Sequence, residues 1–208
     1  PEAAAPHFRP QSPERVAAVR ARYGLPPRYL LSVGTIEPRK NLARLVEATG
    51  PLISQGLVDG LVLVGSLGWL YEGFLRELER SPLRERVLFP GFVADEDLPA
   101  VYAGAEITVQ PSLYEGFGLP VLEAMASGSP VCASEAASLP EVGGDAAQYF
   151  DPQDVGEMTA VLHDLMCDPE QRAAMRERGL QRAALFSWQR TAEETLALYR
   201  RVMRQGGA

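Results

Sequence analysis

Short apolar runs alternate with longer segments of mixed polarity along most of the chain. The runs at 29–33, 61–64, 87–89, 107–110 and 131–133 are nearly free of charged residues, and glycine, proline or serine follows each one. Uninterrupted apolar runs of this length are strands buried on both faces. Between them, 41–55, 69–80, 97–103 and 120–127 carry apolar residues at helical spacing. Beyond Asp154 the pattern is helical, over 155–167, 170–185 and 188–203, with Ser187 placed to cap the last helix. Ahead of the first strand, residues 1–13 are rich in Pro and Ala and read as a linker. Ser12-Pro13-Glu14 then starts a short helix through Tyr23, with Gly24 as its stop.

Strands alternating with helices predict an α/β fold, a parallel sheet covered on both faces. Right-handed crossovers make it a Rossmann-like, doubly wound domain. The expected organisation is a linker and helix over 1–28, a ligand-binding domain over 29–186 and a separate C-terminal helix over 187–208. Ligands of such sheets sit at the carboxyl ends of the strands. That rule selects the loops 34–40, 65–68, 91–93 and 112–119.

Composition narrows the classes. At 208 residues the chain is long enough for one well-buried α/β domain. It contains no apolar run of membrane-spanning length and no signal-peptide pattern. It opens on proline, which reads as a segment of a longer protein. A net charge of -7 argues against a nucleic-acid partner. The arginines of the C-terminal third are interleaved with acids and predict a solvated helix face. Cys132 and Cys167 stand apart in apolar settings and are expected to be buried, reduced thiols of a cytoplasmic protein. Of the 20 basic residues only Lys40 is lysine, and it follows Arg39. The two cations bind anions differently, Arg as a planar fork and Lys as a compact point charge.

Two segments on the ligand edge carry candidate chemistry. In Glu115-Gly116-Phe117-Gly118-Leu119-Pro120-Val121-Leu122-Glu123, Pro120 suits the first turn of a helix. Gly116 to Leu119 is then the turn into a helix N-terminus, where free backbone N–H groups and the helix dipole favour an anion. Glu123 lies about 5 Å into that helix, so one elongated ligand could reach both carboxylates. Alone, the pattern also fits an ordinary glycine turn with an acid near the dipole. The second segment is Gly34-Thr35-Ile36-Glu37-Pro38-Arg39-Lys40-Asn41. Here Arg39 and Lys40 can neutralise a diphosphate without metal. Asp95-Glu96-Asp97 matches a metal-binding acid pattern but stands just ahead of a helix, so capping is the expected role. His7 and His163 have no partner at metal-ligand spacing. Neither a phosphate-loop lysine motif nor a dinucleotide glycine fingerprint is present.

Taken together, these motifs resemble the C-terminal domain of GT-B glycosyltransferases of family 4 (group 1), and most closely bacterial mannosyltransferases of polysaccharide assembly. The resemblance runs from Tyr29 to Tyr199. It rests on Val33 to Asn41, Leu63-Val64-Gly65, Pro90-Gly91-Phe92-Val93, Pro111 to Pro120, Glu123 to Val131 and Ser138 to Val142, with Glu115 and Glu123 as the family's E-x7-E pair. It implies a retaining hexosyltransferase that needs no metal or cofactor and takes a nucleotide-sugar donor, with GDP-mannose the expected one. Arg39 and Lys40 would hold the diphosphate and, with Glu115, form the catalytic set. The Gly116, Phe117, Gly118 and Leu119 backbone would meet phosphate and sugar, Glu115 the transferred sugar, and Glu123 the ribose. Phe92 and Val93 would lie against the base, and Gly34, Thr35 and Gly65 complete the donor loops. The glycan or lipid-linked acceptor would come through an N-terminal domain that the sequence lacks. The last helix would pack toward that domain, and the isolated chain should turn over little. A cytoplasmic site at the inner membrane face, with peripheral association of the longer protein, fits that role. Other GT-B enzymes (a phosphorylase or an epimerase) and a non-catalytic nucleotide-sugar-binding module remain as alternatives.

Overall fold

The computed structural model describes residues 2–205. Pro1 of the expected linker and residues 206–208 of the expected C-terminal segment lie outside the described residues. Six parallel strands form one sheet: β1 (Tyr29–Val33), β2 (Gly60–Val64), β3 (Val87–Leu88), β4 (Ile107–Gln110), β5 (Val131–Ser134) and β6 (Ala147–Phe150). Their spatial order is β3-β2-β1-β4-β5-β6. The chain winds outward from β1 to β3, then returns to the other side of β1 at β4. The sheet therefore has its switch point between β1 and β4, where the loops after the two strands part and leave a crevice.

Side chains alternate across the pleat, and this divides the core. Leu30, Leu61, Leu63, Ile107, Val109 and Cys132 face one side, against Leu45 and Leu52 of α2 (Leu42–Ser54), Leu78 of α3 (Tyr71–Arg80) and Met158 and Leu162 of α7 (Val155–Cys167). Leu31, Val62, Val64, Val131 and Ala133 face the other. They meet Val19 of α1 (Pro13–Tyr23), Tyr102 of α4 (Leu98–Ala103), Leu122 and Met125 of α5 (Leu119–Ala126) and Leu139 of α6 (Leu139–Gly143). Both faces are covered, so even the polar strand residues Ser32, Thr108 and Gln110 are buried. Two further helices follow, α8 (Pro169–Ala183) and α9 (Trp188–Gln205). Ser187 Oγ accepts from the Arg190 N–H at 3.1 Å, the expected cap of α9.

Several expectations need correction. The 147–150 segment is an edge strand and Leu139–Gly143 a short helix, neither foreseen. The strand at 87–89 stops at Leu88, and the helix expected from 69 begins at Tyr71. Asp97 stands at the start of α4 but makes no capping bond. Its buried carboxylate instead accepts from Arg15, from Arg22 at 2.7 Å and from the Tyr23 hydroxyl at 2.9 Å, which ties α1 to α4. Cys132 is buried, but Cys167 is exposed on α7. Nor do all the C-terminal arginines face water. Arg172 donates to the Leu165 and Met166 carbonyls at the end of α7, and Arg182 donates to the Val142 carbonyl.

Candidate active site

The loop after β1 does not leave the sheet at once. Gly34 N–H donates to the Val64 carbonyl and Ile36 N–H to the Ser66 carbonyl, so the loops after β1 and β2 stay paired beyond the strands. The close approach depends on glycine. A Cβ on Gly65, at φ +148°, would stand 2.1 Å from the Gly34 carbonyl oxygen. The chain then makes a 3-10 turn over Pro38–Lys40 and enters α2 through Asn41 in the left-handed region. Asn41 Nδ2 donates to the carbonyls of Pro111 and Pro152, and Leu113 N–H donates to the Arg39 carbonyl. The Pro111 and Leu113 bonds cross the switch point and fix the β1 loop against the β4 loop, and the Pro152 bond ties it to the chain after β6.

At that junction the Glu115 carboxylate accepts four hydrogen bonds. Oε1 receives Lys40 Nζ at 2.6 Å, Gln110 Nε2 at 2.7 Å and Ser112 Oγ at 2.7 Å, and Oε2 receives Arg39 Nη1 at 2.7 Å. Burial alone would raise the Glu115 carboxyl. The bonds from Lys40 and Ser112, the Lys40 charge and the Arg39 bond together hold it below the usual glutamate range. Lys40 is buried with Glu115, whereas the Arg39 side chain is 40% exposed and also pairs with Glu37 at 2.5 Å. Two cations thus meet two carboxylates, with the arginine presented outward.

Beyond Glu115 the turn is held from the α6 side. Ser138 Oγ donates to the carbonyls of Glu115 at 3.1 Å and Phe117 at 2.8 Å. Gly118, at φ +112°, precedes α5, and Pro120 occupies its first turn. A Cβ on Gly118 would strike Leu139, but one on Gly116 would meet open space. In the first turn of α5 Pro120 carries no N–H and the Val121 N–H donates to the Gly118 carbonyl at 3.0 Å, which leaves the Leu119 N–H as the donor without a partner in the helix. One turn further on, Glu123 Oε2 accepts from the Tyr102 hydroxyl at 2.9 Å. Burial raises the Glu123 carboxyl above the usual range; the Asp95 charge adds to this, while Tyr102 and His7 oppose it.

Sequence-based reasoning named residues that fall into two groups. Gly34, Thr35, Arg39, Lys40, Gly65 and Glu115 meet at the ends of β1, β2 and β4, with Thr35 Cγ2 beside Gly68. Glu123 belongs to a second network on the α4 side of α5, with no hydrogen-bond partner in common with Glu115. Phe92 is 89% exposed, while the Val93 side chain is buried in the core, so neighbouring positions differ in what they can offer a ligand. Gln110 and Tyr102 were given no place in the site, and Glu37 and Ser138 stood in the quoted motifs without a role. Gln110 had one visible signal: it is a side-chain amide closing the uncharged strand run 107–110.

With this geometry in view, the relatives can be named. The sequence model for "Glycosyl transferases group 1" matches residues 19–182. The chain belongs to that family. It is 40% identical over 193 residues to an O-antigen chain mannosyltransferase B of Escherichia coli, covering 92% of this chain and 51% of the relative. The chain therefore spans about half the length of that relative. Among solved structures, sucrose-phosphate synthase from Thermosynechococcus elongatus superposes with a TM-score of 0.79 at 30% identity, covering 96% of this chain and 50% of the other. The C-terminal domain of a glycosyl transferase group 1 family protein from Francisella tularensis gives a TM-score of 0.73 at 26% identity, covering 86% of this chain and 94% of that domain. The fold is thus the Rossmann-like half of a GT-B glycosyltransferase. Among the described residues no helix is long and apolar enough to cross a membrane, and no group of three or more metal-ligating side chains converges.

Proposed function

We propose that this chain is the donor-binding domain of a retaining, metal-independent hexosyltransferase that takes mannose from GDP-mannose and passes it to a glycan or lipid-linked acceptor. The observation that carries this reading is the Glu115 cluster. A carboxylate with four donors stands at the switch point, beside the start of α5 and beside an outward-facing Arg39. The donor's diphosphate would lie between Arg39 and the first turn of α5, which supply positive charge without a cation. The transferred sugar would reach Glu115, and the ribose hydroxyls would reach Glu123. Phe92 and the Val93 backbone would lie near the base.

In the reaction, the bond from sugar C1 to the phosphate oxygen breaks and its electron pair leaves with the diphosphate. The acceptor oxygen attaches to C1 from the same face, and its proton passes to the departing phosphate. Charge growing on the leaving group is met by donors already in place. Two further observations support this reading. Asp97 is engaged by Arg15, Arg22 and Tyr23, which leaves the Asp95-Glu96-Asp97 segment without the carboxylate pair that a cation would need. Lys40 is ion-paired with Glu115, an unsuitable state for a lysine that must form an imine in a pyridoxal-type phosphorylase.

The acceptor site is assigned to the domain that the longer relatives carry in addition, and α9 is assigned to packing against it. On this reading the isolated chain binds donor and turns over little, and the longer enzyme works in the cytoplasm. The test is titration calorimetry of the chain with GDP, UDP and ADP, with and without EDTA. Binding of GDP that survives EDTA and is strongest among the three is expected. A requirement for Mg²⁺, or no binding of any nucleotide, would overturn the assignment.

A further inference from the structure

The segment ahead of α1 is packed onto the donor side of the domain. Ala3 and Phe8 are buried, and Phe8 closes a turn by donating its N–H to the Ala5 carbonyl at 3.0 Å. The Phe8 ring sits 6.0 Å from the Tyr102 ring, edge to face, and the His7 ring lies 4.4 Å from Phe8. Tyr102 in turn holds Glu123. His7 is therefore carried to the Glu123 end of the site by a chain of ring contacts.

There the imidazole is in an unusual position. His7 Nε2 is covered from solvent and lies 3.2 Å from Asp95 Oδ2, yet the approach is out of line and it makes no hydrogen bond. The Asp95 charge helps to raise the Glu123 carboxyl, and the Tyr102 hydroxyl and then His7 oppose it.

We propose that His7 is a positioning residue of the donor site, which pairs with Asp95 and, through the Phe8 and Tyr102 rings, keeps Glu123 set to receive the ribose hydroxyls of a nucleoside diphosphate. This inference rests on the donor-binding reading above. It places a contribution to donor recognition on the segment before the first helix, outside the loops at the strand ends. When protonated, the imidazole offsets one of two neighbouring negative charges.

The test compares the chain with its His7→Gln and His7→Phe variants, using GDP, 2′,3′-dideoxy-GDP and inorganic pyrophosphate as probes in calorimetry. His7→Gln should lower GDP affinity by about fivefold, the upper worth of a partly exposed ion pair. His7→Phe should lower it at least as far. Pyrophosphate affinity should not change. The dideoxy nucleotide should bind the chain and its variants alike, because it lacks the hydroxyls that Glu123 would hold. Equal GDP affinity across the three proteins would overturn the proposal. So would parallel losses for pyrophosphate or for the dideoxy nucleotide, which would mark His7 as a structural support only. If the unsubstituted chain binds pyrophosphate or GDP while the variants match it, the donor site stands and only the His7 role falls. If the unsubstituted chain binds none of the probes, the donor reading itself fails, and the His7 role with it.

Discussion

At the scale of single residues, Glu115 and Lys40 form a buried, mutually dependent pair. Removing one partner strands the other's charge, which costs about 3 kcal/mol or more. Glu115→Ala should therefore lower the unfolding free energy by about that amount in urea titration, and the Glu115→Ala, Lys40→Met double variant should recover most of it. Both should lose donor binding. The lowered carboxyl of Glu115 also fixes a pH dependence. The folded state holds the ionised form more tightly than the unfolded chain does, so this stabilisation is complete above the ordinary glutamate range. It is lost as pH falls through the lowered folded value. Asp97, likewise held below its usual range despite burial, adds to the loss in the same direction. Urea midpoints measured from pH 6 down to pH 3 should fall, and the difference between the chain and Glu115→Gln should shrink over the same interval. Two glycines separate fold from function. Gly65→Ala would drive a methyl group into the Gly34 carbonyl and should not yield a folded protein. Gly116→Ala points into open space, so its melting temperature should stay within about 2 °C of the parent's. Its GDP-mannose affinity should fall, if the sugar and phosphate occupy that space. A variant that melts normally and binds normally would show that the donor does not pass over Gly116.

At the scale of elements, the sequence is most informative where burial is most complete. Runs such as Leu61 to Val64 carry no polar residue, because helices cover both faces, and they are legible on hydrophobicity alone. The edge strand β6 was not, since Gln148 and Tyr149 are only half-buried and break the apolar run. The glycine turn before α5 was legible because Gly118 needs a positive φ and Pro120 needs a first turn. The partners of Glu115 were not, because Lys40 and Glu115 are 75 positions apart and meet only once β1 and β4 lie side by side. For the same reason the role of Asp97 was misread. Its neighbours in sequence suggest a cap, while its partners come from α1, 74 to 82 positions away. That anchor makes a prediction about an element. Asp97→Ala should loosen α1, speed amide exchange across Pro13–Tyr23, and lower the melting temperature by on the order of 5 °C. Unchanged exchange in α1 would mean that Val19 and its apolar neighbours suffice to hold the helix.

At the scale of the whole molecule, apolar exposure is concentrated at the C-terminal end. Trp188, Leu196, Leu198, Tyr199, Val202 and Met203 of α9 are all exposed, whereas the last core residue from a helix, Met175, belongs to α8. Phe186, just before α9, still packs edge to face on Phe117 with Arg182 over its ring. The boundary between what the domain needs and what it offers to something else therefore falls at Ser187. If α9 serves the longer enzyme rather than this domain, removing residues 188–208 should leave the melting temperature and GDP affinity unchanged. Removal should also reduce concentration-dependent self-association in sedimentation velocity, since exposed aromatic and aliphatic side chains on one helix promote contact between copies. Cutting before Phe186 should behave differently, because the Phe117 contact borders the turn that feeds α5, and donor affinity should then drop with stability. A drop in melting temperature from the shorter truncation alone would show that α9 supports the domain itself, and the packing role assigned to it would have to be withdrawn.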